Sequence, residues 1–150
     1  MSRIESIAIS PRKGTKKVPI REGCLLKNYG LKGDAHAGAW HRQVSFLAEE
    51  AIERMRERGL KVGFGDFAEN IATSGIDWPA LPVGTLVRLG ETAVVEITQI
   101  GKKCHTRCAI YQAAGDCVMP KEGAFGRVLI GGNIRRGDLV LILSGSSVKR

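Results

Sequence analysis

The sequence predicts a mainly β domain: a β-rich α+β chain folded as a barrel-like sheet with a few short helices. Three observations carry that expectation. Short apolar runs of strand length recur along the chain, bounded by turn residues. The 19 glycines among 150 residues are spread from end to end, as many tight turns require. Only one long segment repeats its apolar residues at helical spacing. With 43% hydrophobic and 25% charged residues, the composition is that of a globular chain, and disorder along the whole length is excluded.

Ile4 to Ile9 reads as a first strand with weak alternation. Ser45 is placed to cap a helix whose apolar face is Phe46, Leu47, Ala51, Ile52 and Met55; Glu50 and Arg54 pair at i, i+4, and Gly59 ends it. Leu86–Leu89 and Ala93–Ile100 flank Gly90-Glu91-Thr92 and read as a hairpin. Thr106 can cap a short second helix that ends before Gly115, so the chain there runs strand, basic glycine loop, helix. Val128–Ile130 follows as a strand, and the uninterrupted apolar run Leu139–Leu143 predicts a strand buried on both faces. No linker or internal repeat is visible, so 1–143 reads as one domain, with 144–150 a small, polar, flexible tail.

The formal charge is +8, and the basic excess lies in 1–32 and 101–150, on either side of an acidic middle. Such a balance suits a nucleic acid, a membrane surface or a small polyanionic ligand. Aromatics are 5% of the chain and do not interleave with the basic runs, which argues against a single-strand nucleic-acid platform. No apolar run approaches the roughly 20 residues of a membrane helix, and the N-terminal residues do not form a secretory signal. The expected setting is therefore the cytoplasm, where the four cysteines are reactive or ligating thiols rather than a disulfide framework.

The densest cluster of reactive types is Lys102-Lys103-Cys104-His105-Thr106-Arg107-Cys108. In the first turn of the predicted helix, free N–H groups and the dipole favour a Cys108 thiolate, and Arg107, Lys102 and Lys103 act in the same direction. A thiolate ligates soft metals or attacks sulfur. Cys104 sits outside the helix, a second candidate with weaker activation. Cys24 and Cys117 read as small buried hydrophobes. Cys104, Cys108, Cys117 and His105 could also make a zinc set, although the spacing is not that of a zinc knuckle.

A second cluster is Gly30-Leu31-Lys32-Gly33-Asp34-Ala35-His36-Ala37-Gly38, followed by His41-Arg42-Gln43. Its glycines and cations could cradle an oxyanion, although it lacks the P-loop pattern. A third places Glu69 and Asn70 between Phe67 and Ile71; buried polar groups there must either buttress a loop or face a ligand. Arg127, after the turn at 119–123, adds a further cation.

Taken in order, these segments resemble a known family. Gly30 to Gly38, His41-Arg42-Gln43-Val44-Ser45, Phe67-Ala68-Glu69-Asn70-Ile71, Leu81-Pro82-Val83-Gly84, Gly101-Lys102-Lys103-Cys104-His105, Cys108, Gly115 to Gly123 and Gly132 to Asp138 are similar to the MOSC domain. That is the C-terminal domain of molybdenum cofactor sulfurases. The resemblance runs from Ile4 to Leu143 and is to the small, free-standing bacterial form. It implies a β-barrel-like fold and the molybdenum cofactor (molybdopterin) as ligand. It implies Cys108 as the residue that carries sulfur or ligates molybdenum, with Cys104 beside it. The cofactor-binding residues expected are Lys102, Lys103, Arg107, Asn70, Glu69, Asp34, His36, His41, Arg42 and Arg127. Asn70 matches the asparagine of a Phe-x-x-Asn-Ile segment, whereas an arginine of that segment in larger relatives falls at Ala68 and is missing.

The function expected is a cofactor-binding protein of molybdenum cofactor metabolism. Pyridoxal phosphate would belong only to a partner sulfurase, and the partners would be a sulfur donor or a molybdoenzyme, with neither membrane nor nucleic acid involved. The alternatives are a reductase of N-hydroxylated compounds, as in larger relatives, a zinc module or a nucleic-acid-binding module.

Overall fold

The computed structural model describes residues 1–12, 16–101 and 122–144. Strands make up 45% of these and helices 11%, so the β-rich expectation holds. The strands are β1 (Arg3–Ile9), β2 (Val18–Ile20), β3 (Glu22–Leu26), β4 (Gly30–Leu31), β5 (Val44–Ala48), β6 (Ile71–Ser74), β7 (Leu86–Leu89), β8 (Ala93–Ile100), β9 (Ala124–Ile130), β10 (Gly132–Arg135) and β11 (Val140–Ser144). Among the described residues there is one α-helix, α1 (Glu49–Glu57), and Trp78–Ala80 forms a 3-10 turn.

Eight strands form one mixed sheet in the order β11-β7-β8-β9-β5-β6-β1-β2, and β10-β3-β4 form a second. An isolated bridge between Arg3 and Leu139 draws the start of β11 toward β1, but no closed barrel forms among the described residues. Among the described strands only β5 and β6 pair in parallel. The two sides of the large sheet bury separate cores. One contains Ile4, Ile7, Phe46, Ile71, Val95 and Ile97 with Leu25, Leu31 and Ile134 from the small sheet. Trp78 belongs to it, stacked on Phe46 at 4.6 Å with its indole N–H donated to Thr73 Oγ1 at 2.8 Å. The other contains Leu47, Ala72 and Phe125 with Ala51, Ile52 and Met55 of α1.

The β7–β8 hairpin forms as the sequence predicts, with Gly90 at φ +68° in the turn, a conformation that needs no Cβ. The expected start of the helix is corrected. Ser45, Phe46 and Leu47 belong to β5, paired on both sides by β6 and β9, and α1 begins at Glu49 with Ala48 at the cap position and no side-chain cap. The sequence misleads because β5 runs into α1 without a loop, and Leu47, Ala51, Ile52 and Met55 share one core. Arg54 takes Glu122 as its salt-bridge partner, not Glu50, whose carboxylate accepts the Gly75 N–H.

β11 is likewise not buried on both faces. It is the edge of the sheet, with Val140 inside but Leu141 40%, Ile142 50% and Leu143 48% exposed. The predicted second helix lies outside the described residues. Among the described residues no helix is long and apolar enough to cross a membrane.

Candidate functional site

Three of the central strands meet the preceding loops at one end of the sheet. β5 and β6 are parallel and both start there, while the antiparallel β1 ends there. Ser45 and Phe125 face each other across β5 and β9. The loop from Lys32 to Gln43 closes over this end, fastened by Gln43. The Gln43 Oε1 accepts the Val128 N–H at 2.9 Å, and its Nε2 donates to Asn28 Oδ1 at 2.9 Å.

Between loop and sheet lies a cavity of about 200 Å³, lined by Lys17, His36, Trp40, Arg42, Ser45, Ala68, Asn70 and Phe125. A larger groove of about 510 Å³ beside Arg21, Glu22, Arg135 and Arg136 has walls of exposed charge, with Arg135 drawn toward Glu22 at 3.8 Å. The smaller cavity is the chemically built one, because buried polar groups converge on it.

Lys17 is 3% exposed and Asp34 4%. The Lys17 ammonium donates to Asp34 Oδ1 at 2.8 Å and to Ser10 Oγ at 3.1 Å, and His36 Nδ1 lies 3.1 Å away. The same Asp34 oxygen accepts the Ser10 N–H at 3.0 Å. Burial pushes the Asp34 carboxyl up, but the Lys17 hydrogen bond, the Ser10 N–H and the Lys17 charge outweigh it, so its pKa lies below the ordinary carboxylate value.

Arg42 reaches the cavity between two rings, 4.7 Å from the Trp40 centroid and 5.6 Å from that of Phe125. Its Nε is buried and has no hydrogen-bond partner among the described residues. A desolvated donor of this kind favours an acceptor supplied from outside. Asn70 forms the floor. Its Oδ1 accepts from Ser45 N at 2.9 Å and Ser45 Oγ at 3.1 Å, and its Nδ2 donates to Ala8 O at 3.0 Å. Beside it Ala68 holds φ +64°, which costs a residue with a Cβ and marks a backbone fixed by its surroundings.

Glu69 does not line the cavity. It buttresses the loop behind it, accepting Gly65 N–H at 2.6 Å and Phe67 N–H at 3.2 Å. Burial pushes its pKa up to about 7 against the pull of those N–H groups. Gly65 in turn accepts the Lys17 N–H at 3.3 Å, and a Cβ on Gly65 would stand 2.2 Å from the Lys17 carbonyl oxygen. Glu69 therefore shapes the loop on which the Lys17 backbone rests.

Of the expected site residues, the structure brings together Asp34, His36, Arg42 and Asn70 around this cavity, with Glu69 behind it. His41 lies at the rim, its Nε2 3.0 Å from Gln99 Oε1. Arg127 lies outside the cavity, paired with Glu96 at 2.8 Å. Lys102, Lys103, Cys104, Arg107 and Cys108 lie outside the described residues, as do Cys117 and His105. Among the described residues no group of three or more His, Cys, Asp or Glu side chains could hold a metal, and the remaining cysteine, Cys24, is half-buried on β3. Sequence reading missed Lys17, Trp40 and Phe125. Asp34 was the available signal for Lys17, since a buried carboxylate requires a cation.

The fold is similar to that of several solved structures. It matches YiiM from Geobacillus stearothermophilus with a TM-score of 0.73 at 19% identity, covering 96% of this chain and 76% of that one. It matches the YuaD protein from Bacillus subtilis with a TM-score of 0.74 at 18% identity, covering 93% and 94%. It matches YiiM from Escherichia coli with a TM-score of 0.67 at 19% identity, covering 97% and 72%. Among curated proteins none matches. The sequence model of the MOSC domain matches residues 33–141, from the loop over the cavity to the edge strand. The chain belongs to the MOSC domain family, a family associated with molybdenum cofactor-related proteins.

Proposed function

We propose that this protein binds the molybdenum cofactor, or its pterin precursor, in molybdenum cofactor metabolism, with Cys108 as the thiol that carries sulfur or ligates the metal. The observation that carries the reading is the buried Arg42 Nε, without a hydrogen-bond partner among the described residues, in a cavity that Lys17 also lines. The cofactor is an anionic, phosphorylated pterin, and the described residues fit its anionic end. Arg42 supplies net charge and Lys17 an ammonium donor, Trp40 and Phe125 supply apolar walls, and a volume of about 200 Å³ admits a phosphate or one ring system.

Among the described residues of the cavity lining there is no soft donor such as the group needs. The sequence supplies one in the segment carrying Cys104 and Cys108. Gly101 and Gly123, which bracket it, are joined by a 2.6 Å hydrogen bond, two residues from Phe125. When bound, the cofactor would supply molybdenum redox or sulfur chemistry. The chain's own part is to hold the anionic end, exclude water with the two rings and present a thiol. Sulfur would come from a donor protein, and a molybdoenzyme would receive the product.

The test is purification from a molybdenum-replete host, followed by metal analysis and fluorescence of the oxidised pterin. The reading expects both, near one per chain, and expects Cys108→Ser to lose metal or sulfur loading. Neither molybdenum nor pterin after incubation with cofactor contradicts it.

A further inference from the structure

The Lys17 ammonium has three protons, and the structure places an acceptor against each: Asp34 Oδ1 at 2.8 Å, Ser10 Oγ at 3.1 Å and His36 Nδ1 at 3.1 Å. An ammonium only donates, so His36 Nδ1 must offer its lone pair, which requires a neutral imidazole with its proton on Nε2. In that state the lysine is closed to the cavity it lines. Lys17 and Asp34 cancel, His36 is neutral, and among the described lining residues Arg42 is the one that presents net charge to a ligand. Of the three acceptors, Asp34 and Ser10 are also tied to each other through the Ser10 N–H, whereas His36 belongs to the cavity lining.

We propose that this cavity is a proton-coupled site for a tetrahedral dianion, in which His36 takes up a proton as the ligand enters. The proton comes from solvent and goes to Nδ1. The Lys17–His36 hydrogen bond then breaks, because both groups are donors, and the Lys17 proton it held turns to the ligand. The site gains one unit of positive charge and two donors, which join the Arg42 Nε, unpartnered among the described residues. No bond other than hydrogen bonds is made or broken. Among the described residues, the charged and titratable groups around His36 that bear on this step are Lys17 and Asp34 beside it, Arg42 across the cavity, and Glu69 behind the loop. The inference deepens the cofactor reading, since a phosphate monoester is one source of such a dianion and a free oxyanion is another.

The experiment is calorimetric titration of the full chain with sodium sulfate, from pH 6 to 8, in buffers of differing ionisation enthalpy. Sulfate does not itself titrate in that range, so proton uptake belongs to the protein. The expected result is saturable binding that weakens by up to about tenfold per pH unit toward the alkaline end, with uptake approaching one proton per sulfate. His36→Gln keeps an acceptor for Lys17 but cannot be protonated; it should bind sulfate with no proton uptake and no steep pH dependence, at an unchanged Tm. Glu69→Gln should leave the uptake in place. Absence of sulfate binding at every pH, or uptake that survives in His36→Gln, overturns the inference.

Methyl phosphate, compared with sulfate by affinity at pH 7.5, where a monoester whose second pKa is about 6 is mostly a dianion, separates the two sources. Equal affinity favours the ester end of a larger ligand, sulfate alone favours a free oxyanion, and either result supports the dianion site. Protein that couples sulfate to His36 yet never retains pterin leaves this inference standing and contradicts the cofactor reading.

Discussion

Ser45 and Asn70 hold each other by reciprocal bonds. The Asn70 Oδ1 accepts the Ser45 N–H at 2.9 Å, and the Ser45 Oγ accepts the Asn70 N–H at 2.9 Å. Asn70 also binds Ala8 through both its backbone and its side chain, so one residue joins the ends of β1 and β5 at the head of β6. The floor of the cavity is thus a structural clamp.

Truncating that clamp strands buried donors and acceptors. Asn70→Ala should destabilise the protein by about 2–4 kcal/mol and Ser45→Ala by about 1–3 kcal/mol. Because the two act as a unit, the double variant should lose clearly less than the sum. Urea unfolding of the four proteins measures this, and additive losses would show that the two residues act separately.

Lys17 should be needed for Asp34 rather than for packing. Lys17→Met leaves a buried carboxylate without its cation and should cost about 3–5 kcal/mol. Replacing both, as Lys17→Met with Asp34→Asn, should recover most of that loss. Denaturant midpoints that stay equally low in the double variant would contradict the assignment.

Glu69 makes stability depend on pH in an unusual direction for a carboxylate. Its folded pKa is raised from 4.5 to about 7, so between those values the folded protein keeps a proton that the unfolded chain has lost. Its contribution therefore turns unfavourable as the pH rises from 4.5 to 7, by about 3 kcal/mol in all. Asp34 has the opposite sign: its pKa is lowered, so its stabilisation is present above the ordinary carboxylate value of 3.8 and is lost in more acidic solution. Thermal melts across pH 4–8 should show the Glu69 slope in the wild type and a flatter profile in Glu69→Gln. An equal slope in both would place the titration elsewhere.

Much of the frame was legible in the chain, and what was not has a physical reason. The β7–β8 hairpin could be read because glycine chemistry and strand period are local. Glu69 and Asn70 could be read as buried polar groups in need of partners, but which would buttress and which would face the cavity depends on strand order. Lys17 was hidden: in Pro11-Arg12-Lys13-Gly14-Thr15-Lys16-Lys17 it looks like one more solvated cation. Its burial is created by Asp34 and by the loop at Gly65, both distant in sequence. Ser45 misled because a serine ahead of an amphipathic run has the signature of a helix cap, while the pairing that makes it a strand residue comes from β6 and β9.

Between the two neighbouring thiols, Cys108 should be the reactive one. Iodoacetamide near neutral pH, read by peptide mass, should label Cys108 before Cys104, and Cys104→Ser should weaken metal or sulfur loading only in part. First labelling at Cys104, with loading lost in its serine variant alone, would reverse the assignment.

The central claim is that the anionic end of the cofactor sits against Arg42 and Lys17. It is tested most directly by pterin retention in single arginine variants purified from a molybdenum-replete host. Arg42→Ala, which removes the cation between Trp40 and Phe125, should lose at least tenfold of the bound pterin at unchanged Tm, a loss of about 1.4 kcal/mol or more. Arg127→Ala, paired with Glu96 outside the cavity, should retain it. Full retention in Arg42→Ala together with loss in Arg127→Ala would contradict the account.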